Sequence, residues 1–168
     1  MRVLISAASR HESTTELARI ISGVLREGDV DVDVRDPEDV RRLDEFDAVI
    51  LGSAVYLGHW LQSAREFADR HHTALLRLPV WLFSVGPVGD PLRPTGGPEK
   101  LPELLRMTGA QEHRLFPGRI DRAHLGLAER LIVGAIGVRD GDYRDPEEVR
   151  DWARKILRDL DGGGEQGI

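Results

Sequence analysis

The sequence contains no cysteine, and several kinds of chemistry are excluded with it. Disulfides, thiolate nucleophiles, iron–sulfur clusters and cysteine-ligated zinc all require the thiol side chain. Any transfer of electrons would therefore need a bound cofactor to carry them. The 6 histidines show neither the HExxH spacing nor another recognised ligand pair, so we expect no metal site.

Positive charge is also scarce, with 23 Lys and Arg against 29 Asp and Glu and a net charge of −6. This balance disfavours non-specific attraction to nucleic acid, and no nucleic-acid partner is expected. A locally basic stretch from His113 to Arg130 is interpreted as a solvated face, because Arg-rich clusters arise easily in this composition. Apolar runs are short, and none approaches the ~18 residues that span a bilayer. We therefore expect no transmembrane segment and a cytoplasmic protein.

The 168 residues, 40% of them apolar, suffice for one globular domain. We assign residues 1–160 to this domain and residues 161–168 to a flexible C-terminal tail. Short aliphatic runs predict strands, and apolar residues that recur every three to four positions predict helices. The predicted strands lie at residues 3–5, 30–34, 48–51, 79–83 and within 112–120. The predicted helices begin at Ser13 and Asp36 or cover residues 61–76, 99–107, 125–136 and 146–160.

Two of the helix starts carry capping signals. Ser13 with Glu16 three residues later has the spacing of a capping box. Asp145 stands before Pro146, which is the arrangement of an N-cap and a first helical residue. Residues 30–34 alternate with period two, which predicts an edge strand. Together the elements predict a doubly wound, five-stranded parallel sheet with helices on both faces, whose ligand crevice lies beyond the carboxyl ends of the central strands.

Three loops at this edge have unusual compositions, although the dinucleotide fingerprint, the P-loop and the nucleophile elbow are all absent. Residues 9–14 bring three hydroxyls and several backbone N–H groups to a helix N-terminus, which is typical of an anion site. The alternative is that Ser13 and Thr14 only cap the helix. Residues 52–60 combine glycines with two large aromatic residues, which either stack on a planar ligand or pack on the following helix. In residues 84–90, Gly and Pro allow close approach of backbone amides to a ligand.

Taken together, residues 8–14, 51–60 and 83–91 resemble the three FMN-binding loops of flavodoxin-domain proteins. The nearest branch contains the menaquinone-dependent protoporphyrinogen oxidases, and the similarity runs from Met1 to about Leu160. This resemblance implies a flavodoxin-like α/β fold with FMN as cofactor. It also implies an FMN-dependent oxidoreductase or electron-transfer flavoprotein, with a redox donor and a quinone or another small molecule as acceptor.

By the same resemblance, the first loop would hold the FMN phosphate, Tyr56 and Trp60 would flank the isoalloxazine, and backbone groups of the third loop would address its polar edge. The implied cofactor-binding residues are Ser9, Arg10, His11, Ser13, Thr14, Ser53, Ala54, Val55, Tyr56, Trp60, Ser84, Val85, Gly86 and Gly89. His59 is a candidate proton donor, and the alternative is a solvated loop histidine. No positive side chain is expected at the ring, so acidic surroundings would lower the flavin potential.

Glu12 departs from the resemblance, because this position is normally Gly in the family's phosphate loop. A positive φ there would cost a non-Gly residue ~1–2 kcal/mol. A carboxylate that points outward, compensated by Arg10, would weaken FMN binding ~10-fold, and one that points inward up to ~10³-fold. An alternative function follows, namely a flavodoxin-like domain that has lost FMN and acts as a binding or regulatory module. A further alternative is a pure electron shuttle that docks through a surface patch.

Overall fold

A computed structural model describes residues 1–86, 98–120, 141–142 and 144–163 of the chain. Strands and helices alternate along these residues, as the sequence pattern predicts. In chain order the elements are β1 (Arg2–Ala8), α1 (Ser13–Glu27), β2 (Asp31–Arg35), a 3₁₀ turn (Pro37–Asp39), β3 (Ala48–Tyr56), β4 (His59–Trp60), α2 (Gln62–Leu75), β5 (Val80–Gly86), α3 (Leu101–Thr108), β6 (Glu112–Pro117), β7 (Arg119–Ile120), β8 (Gly141–Asp142) and α4 (Pro146–Gly163).

The main sheet has the strand order β2-β1-β3-β5-β6, and all of these neighbours are parallel. The predicted doubly wound, five-stranded architecture is thereby confirmed, and β2 is an edge strand as its alternation indicates. The short β4 adds an antiparallel pair at the end of β3. In the parallel ladders Ala8, Ser53 and Ser84 lie side by side on β1, β3 and β5. The chain segments that follow these three residues therefore meet at one edge of the sheet.

Helices cover both faces of the sheet, which explains why the central strands are continuous apolar runs. One core lies between the sheet and helices α1 and α4; its largest members include Ile5, Leu17, Trp81, Phe83 and Trp152. The second core lies between the sheet and helices α2 and α3; its members include Leu4, Leu51, Phe67, Leu82 and Leu104. None of the helices in the described ranges combines the length and apolar character needed to cross a bilayer.

Helix α4 begins as predicted and ends later than predicted. The Oδ1 atom of Asp145 accepts hydrogen bonds from the backbone N–H groups of Glu147 and Glu148 at 3.0 and 3.4 Å, which confirms the N-cap. The helix continues to Gly163, so residues 161–163 belong to it rather than to a tail. Residues 164–168 and the helix predicted over residues 125–136 lie outside the described residues.

The capping box predicted at the start of α1 is wrong. Ser13 is the first helical residue, and the N-cap is Glu12, whose side chain makes no capping hydrogen bond. Glu12 has a φ of 63°, and its carbonyl accepts the first intrahelical bond from the N–H of Glu16 at 2.9 Å. Because this left-handed residue turns the chain into the helix, Ser13 does not occupy the capping position. The carboxylate of Glu16 pairs with Arg144 instead.

Candidate functional site

Two hydroxyls of the first loop, residues 9–14, are shielded from solvent and have no hydrogen-bond partner among the described residues. They are the Oγ of Ser9, a half-buried residue, and the Oγ1 of Thr14, a residue only 1% exposed. Leaving a buried polar group unsatisfied costs ~1–3 kcal/mol. Thr14 lies in the first turn of α1, and Ser9 precedes the helix. The helix dipole and the backbone N–H groups of a first helical turn attract anions. Hydroxyl donors beside a helix N-terminus fit a phosphate group.

The backbone of Glu12 is strained, because its φ is 63° and a positive φ is unfavourable for residues other than Gly. The sequence-based cost of ~1–2 kcal/mol for a non-Gly residue therefore applies at this position. The side chain is exposed, as are those of the neighbouring Arg10 and His11. Water screens a charge in this setting, so the structure corresponds to the milder of the two cases expected for the Glu12 carboxylate.

The segment predicted as an open second loop is a β-hairpin. β3 runs to Tyr56, which pairs with His59, and the turn between them consists of Leu57 and Gly58. Their φ angles are 51° and 78°, and positive values at both central residues define a type I′ turn. This turn matches the twist of the strands, and it fixes the end of β3 where the sequence pattern predicts a flexible loop.

Trp60 belongs to the core rather than to an exposed surface. Its side chain is 2% exposed, and its indole Nε1–H donates to the Oγ of Ser84 at 2.7 Å. Since the indole can only donate, the Ser84 hydroxyl can use its own hydrogen toward the Nε2 of His113, also at 2.7 Å. The chain of three side chains joins β4, β5 and β6. The expectation that Trp60 presents a ring face to a planar ligand is therefore incorrect.

Tyr56 is the partly exposed aromatic residue of the hairpin, and a cation contacts its ring. The guanidinium carbon of Arg10 lies 4.6 Å from the ring centroid, within the range of a cation–π interaction. The expectation that no positive side chain stands beside the ring-binding region is thus corrected. The contact also brings together the first loop and the hairpin, as expected for residues of one site.

Several predicted contact residues are strand residues whose polar groups are already engaged. Ser53 is fully buried; its hydroxyl donates to the carbonyl of Ala54 at 2.8 Å and accepts from the N–H of Leu61 at 2.9 Å. In β3, Ala54 and Val55 are partly buried. In β5, Ser84 and Val85 are buried ladder residues, and Gly86 pairs with β6 at its end. Strand β5 therefore includes the first three residues of the predicted third loop, and Gly89 lies outside the described residues.

The two histidines nearest the hairpin have different surroundings. His59 is 43% exposed and its Nε2 lies 3.6 Å from the carboxylate of Glu99, whose backbone N–H donates to the carbonyl of Gly58 at 2.8 Å. A groove of about 220 Å³ adjoins His59 and Trp60.

His113 is half-buried, and burial lowers its pKa. Sequence reasoning missed His113, because its partner Ser84 is 29 residues away and the local composition indicates only a basic surface. In the described part of the chain, no group of three or more His, Asp or Glu could hold a metal ion.

The fold and the crevice together define a flavodoxin-type α/β protein, and the known sequences agree. The sequence model of the flavodoxin domain family matches residues 4–147, so the chain belongs to this family. The chain is 30% identical over 90 residues to the protoporphyrinogen IX dehydrogenase [quinone] of Escherichia coli strain K12. This match covers 51% of the chain and 48% of the relative, so the chain spans about half the length of the curated relatives it matches.

Solved structures extend the likeness to nearly the whole chain. A flavodoxin from the domain Archaea has a TM-score of 0.65 at 17% identity, with 96% of this chain and 99% of that chain covered. Flavodoxin 1 from Bacillus cereus has a TM-score of 0.60 at 19% identity, covering 94% and 98%. Rubredoxin oxygen:oxidoreductase from Desulfovibrio gigas has a TM-score of 0.61 at 16% identity, covering 96% of this chain and 36% of that one. At these identities the likeness shows the fold.

Proposed function

We propose that this chain binds FMN at the edge of the sheet where β1, β3 and β5 end, and that it works as an oxidoreductase or electron-transfer flavoprotein. The observation that supports this most directly is the pair of buried, unpartnered hydroxyls of Ser9 and Thr14 at the start of α1. A phosphate supplies the acceptor oxygens that these donors lack. The partly exposed ring of Tyr56 stands on the neighbouring strand and suits a flat ring system.

The residues of the chain divide the work of binding. The hydroxyls of Ser9 and Thr14 and the N-terminus of α1 would bind the phosphate, with exposed His11 and half-buried Ser13 beside them. Tyr56 would stack on the isoalloxazine. The hydrogen bonds from Trp60 through Ser84 to His113 hold the hairpin that carries Tyr56. When bound, FMN would supply the redox chemistry, since the chain has no cysteine thiol to do so.

The finer part of the proposal is a quinone-linked activity of the protoporphyrinogen oxidase type, in a cytoplasmic protein. It is supported by the 30% identity to a protoporphyrinogen IX dehydrogenase [quinone] over 90 residues. The groove beside His59 offers space for a substrate or acceptor, and it is lined by apolar and charged side chains, among them Leu104, Met107, Arg65 and Lys100. His59 could donate a proton there.

Binding and turnover test the two levels separately. Titration of the protein into FMN should quench the flavin fluorescence to saturation at one FMN per chain. The loaded protein should then oxidise protoporphyrinogen with menadione as acceptor. Quenching without turnover, but with electrons accepted from a flavodoxin reductase, would identify the chain as an electron shuttle. Absence of quenching would contradict the proposal as a whole.

Glu12 supports a second candidate, a flavodoxin-like domain that works as a binding or regulatory module without FMN. Its backbone is strained at a φ of 63°, and its carboxylate stands at the start of the helix that would hold the phosphate. A negative charge near a phosphate is unfavourable, although exposure reduces the effect. This candidate predicts that the wild-type protein does not quench FMN fluorescence, and that Glu12→Gly restores the quenching.

A further inference from the structure

Arg10 connects the two elements that the proposed function assigns to FMN, the first loop and the β3–β4 hairpin. β1 and β3 are neighbouring parallel strands in which Ala8 lies opposite Ser53. Arg10 follows Ala8 by two residues and Tyr56 follows Ser53 by three, so both residues lie past the same edge of the sheet. There the guanidinium carbon of Arg10 is 4.6 Å from the centroid of the Tyr56 ring.

We propose that Arg10 is a positioning residue that also sets the preference of the site for one redox state of FMN. Its guanidinium orients the Tyr56 ring and places one positive charge beside the flavin. Reduction adds negative charge to the ring of FMN. The positive charge of Arg10 therefore favours binding of the reduced form over the oxidised form. The inference rests on the proposed function and adds to it the residue that controls the redox balance.

The contact between Arg10 and Tyr56 determines which face of the Tyr56 ring is open to the flavin. A guanidinium is planar and weakly hydrated, and it stacks on aromatic faces more readily than an ammonium does. It covers one face of Tyr56, and the flavin ring stacks against the other. In this arrangement Arg10 and the flavin lie on opposite sides of one aromatic ring. The guanidinium also offsets the charge of exposed Glu12, two residues away in a chain of net charge −6.

Three variants separate the charge of Arg10 from its shape. Arg10→Gln removes the charge and keeps a planar terminal group, whereas Arg10→Lys keeps the charge and loses the plane. Arg19→Gln is the matched control, because Arg19 is an exposed residue of α1 whose removal changes the net charge by the same amount. Fluorescence quenching gives the dissociation constant of oxidised FMN. The reduction potentials of bound and free FMN then give the ratio of dissociation constants for the reduced and oxidised forms.

We expect Arg10→Gln to raise that ratio about tenfold, as for one charge at roughly 8 Å, across the Tyr56 ring, in partly solvated surroundings. Binding of oxidised FMN should weaken about two- to fivefold in both Arg10 variants, as the contact with Tyr56 is impaired. Arg10→Lys should keep the ratio close to that of the wild type, and Arg19→Gln should change neither quantity. An unchanged ratio in Arg10→Gln would overturn the inference. Tighter binding of oxidised FMN would overturn it too, because Arg10 would then occupy the face that the flavin needs.

A measurement without FMN separates this inference from the proposed function. A double-mutant cycle of Arg10→Gln and Tyr56→Leu in urea unfolding should show a coupling equivalent to about two- to fivefold in the unfolding constant. Absence of coupling would overturn the inference even if FMN binds. Coupling in a protein that does not bind FMN would contradict the proposed function, and the redox role of Arg10 with it, while the contact itself would stand.

Discussion

The first loop and the β3–β4 hairpin reach the same edge of the sheet, but their polar groups are satisfied in opposite ways. In the first loop the hydroxyls of Ser9 and Thr14 are shielded and have no hydrogen-bond partner in the part of the chain that the structure describes. Behind the hairpin, the hydroxyl of Ser84 joins Trp60 to His113 through two contacts of 2.7 Å. The polar groups behind the hairpin are satisfied within the protein, whereas the two hydroxyls of the first loop are not satisfied by any described residue.

This difference distinguishes residues that stabilise the fold from residues that could bind a ligand. A satisfied buried hydroxyl contributes to the stability of the fold, so its removal leaves partners unsatisfied. An unsatisfied buried hydroxyl lowers stability, and at Ser9 and Thr14 it is the position beside the N-terminus of α1, in addition to the missing partner, that points to a ligand. Substitutions behind the hairpin are therefore expected to change the free energy of unfolding. Substitutions in the first loop are expected to change the affinity for FMN.

The largest effect is expected from Ser84→Ala. The substitution removes two hydrogen bonds and leaves the indole N–H of Trp60 and the Nε2 of His113 without this partner. We expect a loss of about 2–3 kcal/mol in the free energy of unfolding, measured by urea denaturation. Ser22→Ala provides the control, because the Ser22 hydroxyl is buried and no described residue is its hydrogen-bond partner. Equal effects of the two substitutions would contradict the importance of the Ser84 contacts.

Thr14→Val reverses the readout. Removal of an unsatisfied buried hydroxyl should leave the free energy of unfolding unchanged or raise it by up to about 1 kcal/mol. FMN affinity should fall about tenfold or more, because a hydrogen bond to a charged phosphate is lost. Fluorescence titration of the variant beside Ser22→Ala checks this, and the control should bind FMN like the wild type. A Thr14→Val protein with unaltered affinity would remove Thr14 from the site.

Glu12→Gly should improve both quantities. Glycine adopts a φ of 63° without the side-chain penalty, so the folded state should gain about 1 kcal/mol. FMN affinity should rise about tenfold as the carboxylate is removed. Asp29→Gly is a matched control, since Asp29 has a φ of 61° beyond the far end of α1. The Asp29→Gly variant should gain stability without any change in FMN affinity. A gain of FMN affinity in this control would contradict a local effect of Glu12 on the phosphate site.

The smallest effect is a dependence of stability on pH. Burial lowers the pKa of both His113 and His71 from the ordinary 6.5. The unfolded chain therefore takes up protons before the folded protein does as pH falls. Stability is fully present above about 6.5 and decreases from there toward the lowered pKa values of the folded state. Urea midpoints between pH 7.5 and 5 should show a shallower fall for His113→Gln than for exposed His72→Gln, and identical slopes would argue against burial of His113.

The sequence allows prediction of the features that depend on local patterns. Alternation in residues 30–34 predicted the edge strand, and the position of Asp145 before Pro146 predicted the N-cap of α4. The hairpin was missed because Leu57 is an unusual residue at a φ of 51°. The chain from Trp60 to His113 was missed because its members are 24 and 29 residues apart in sequence. Contacts of this length depend on strand order and register, which no local pattern specifies.

A comparison of FMN with riboflavin tests the central claim most directly, since the two ligands differ only in the phosphate. The hydroxyls of Ser9 and Thr14 and the N-terminus of α1 should together favour FMN at least ~100-fold, as two charge-assisted hydrogen bonds would. Parallel fluorescence titrations at one salt concentration give both dissociation constants. A ratio of that size would support the first loop as a phosphate site. Equal affinities for the two ligands would contradict it.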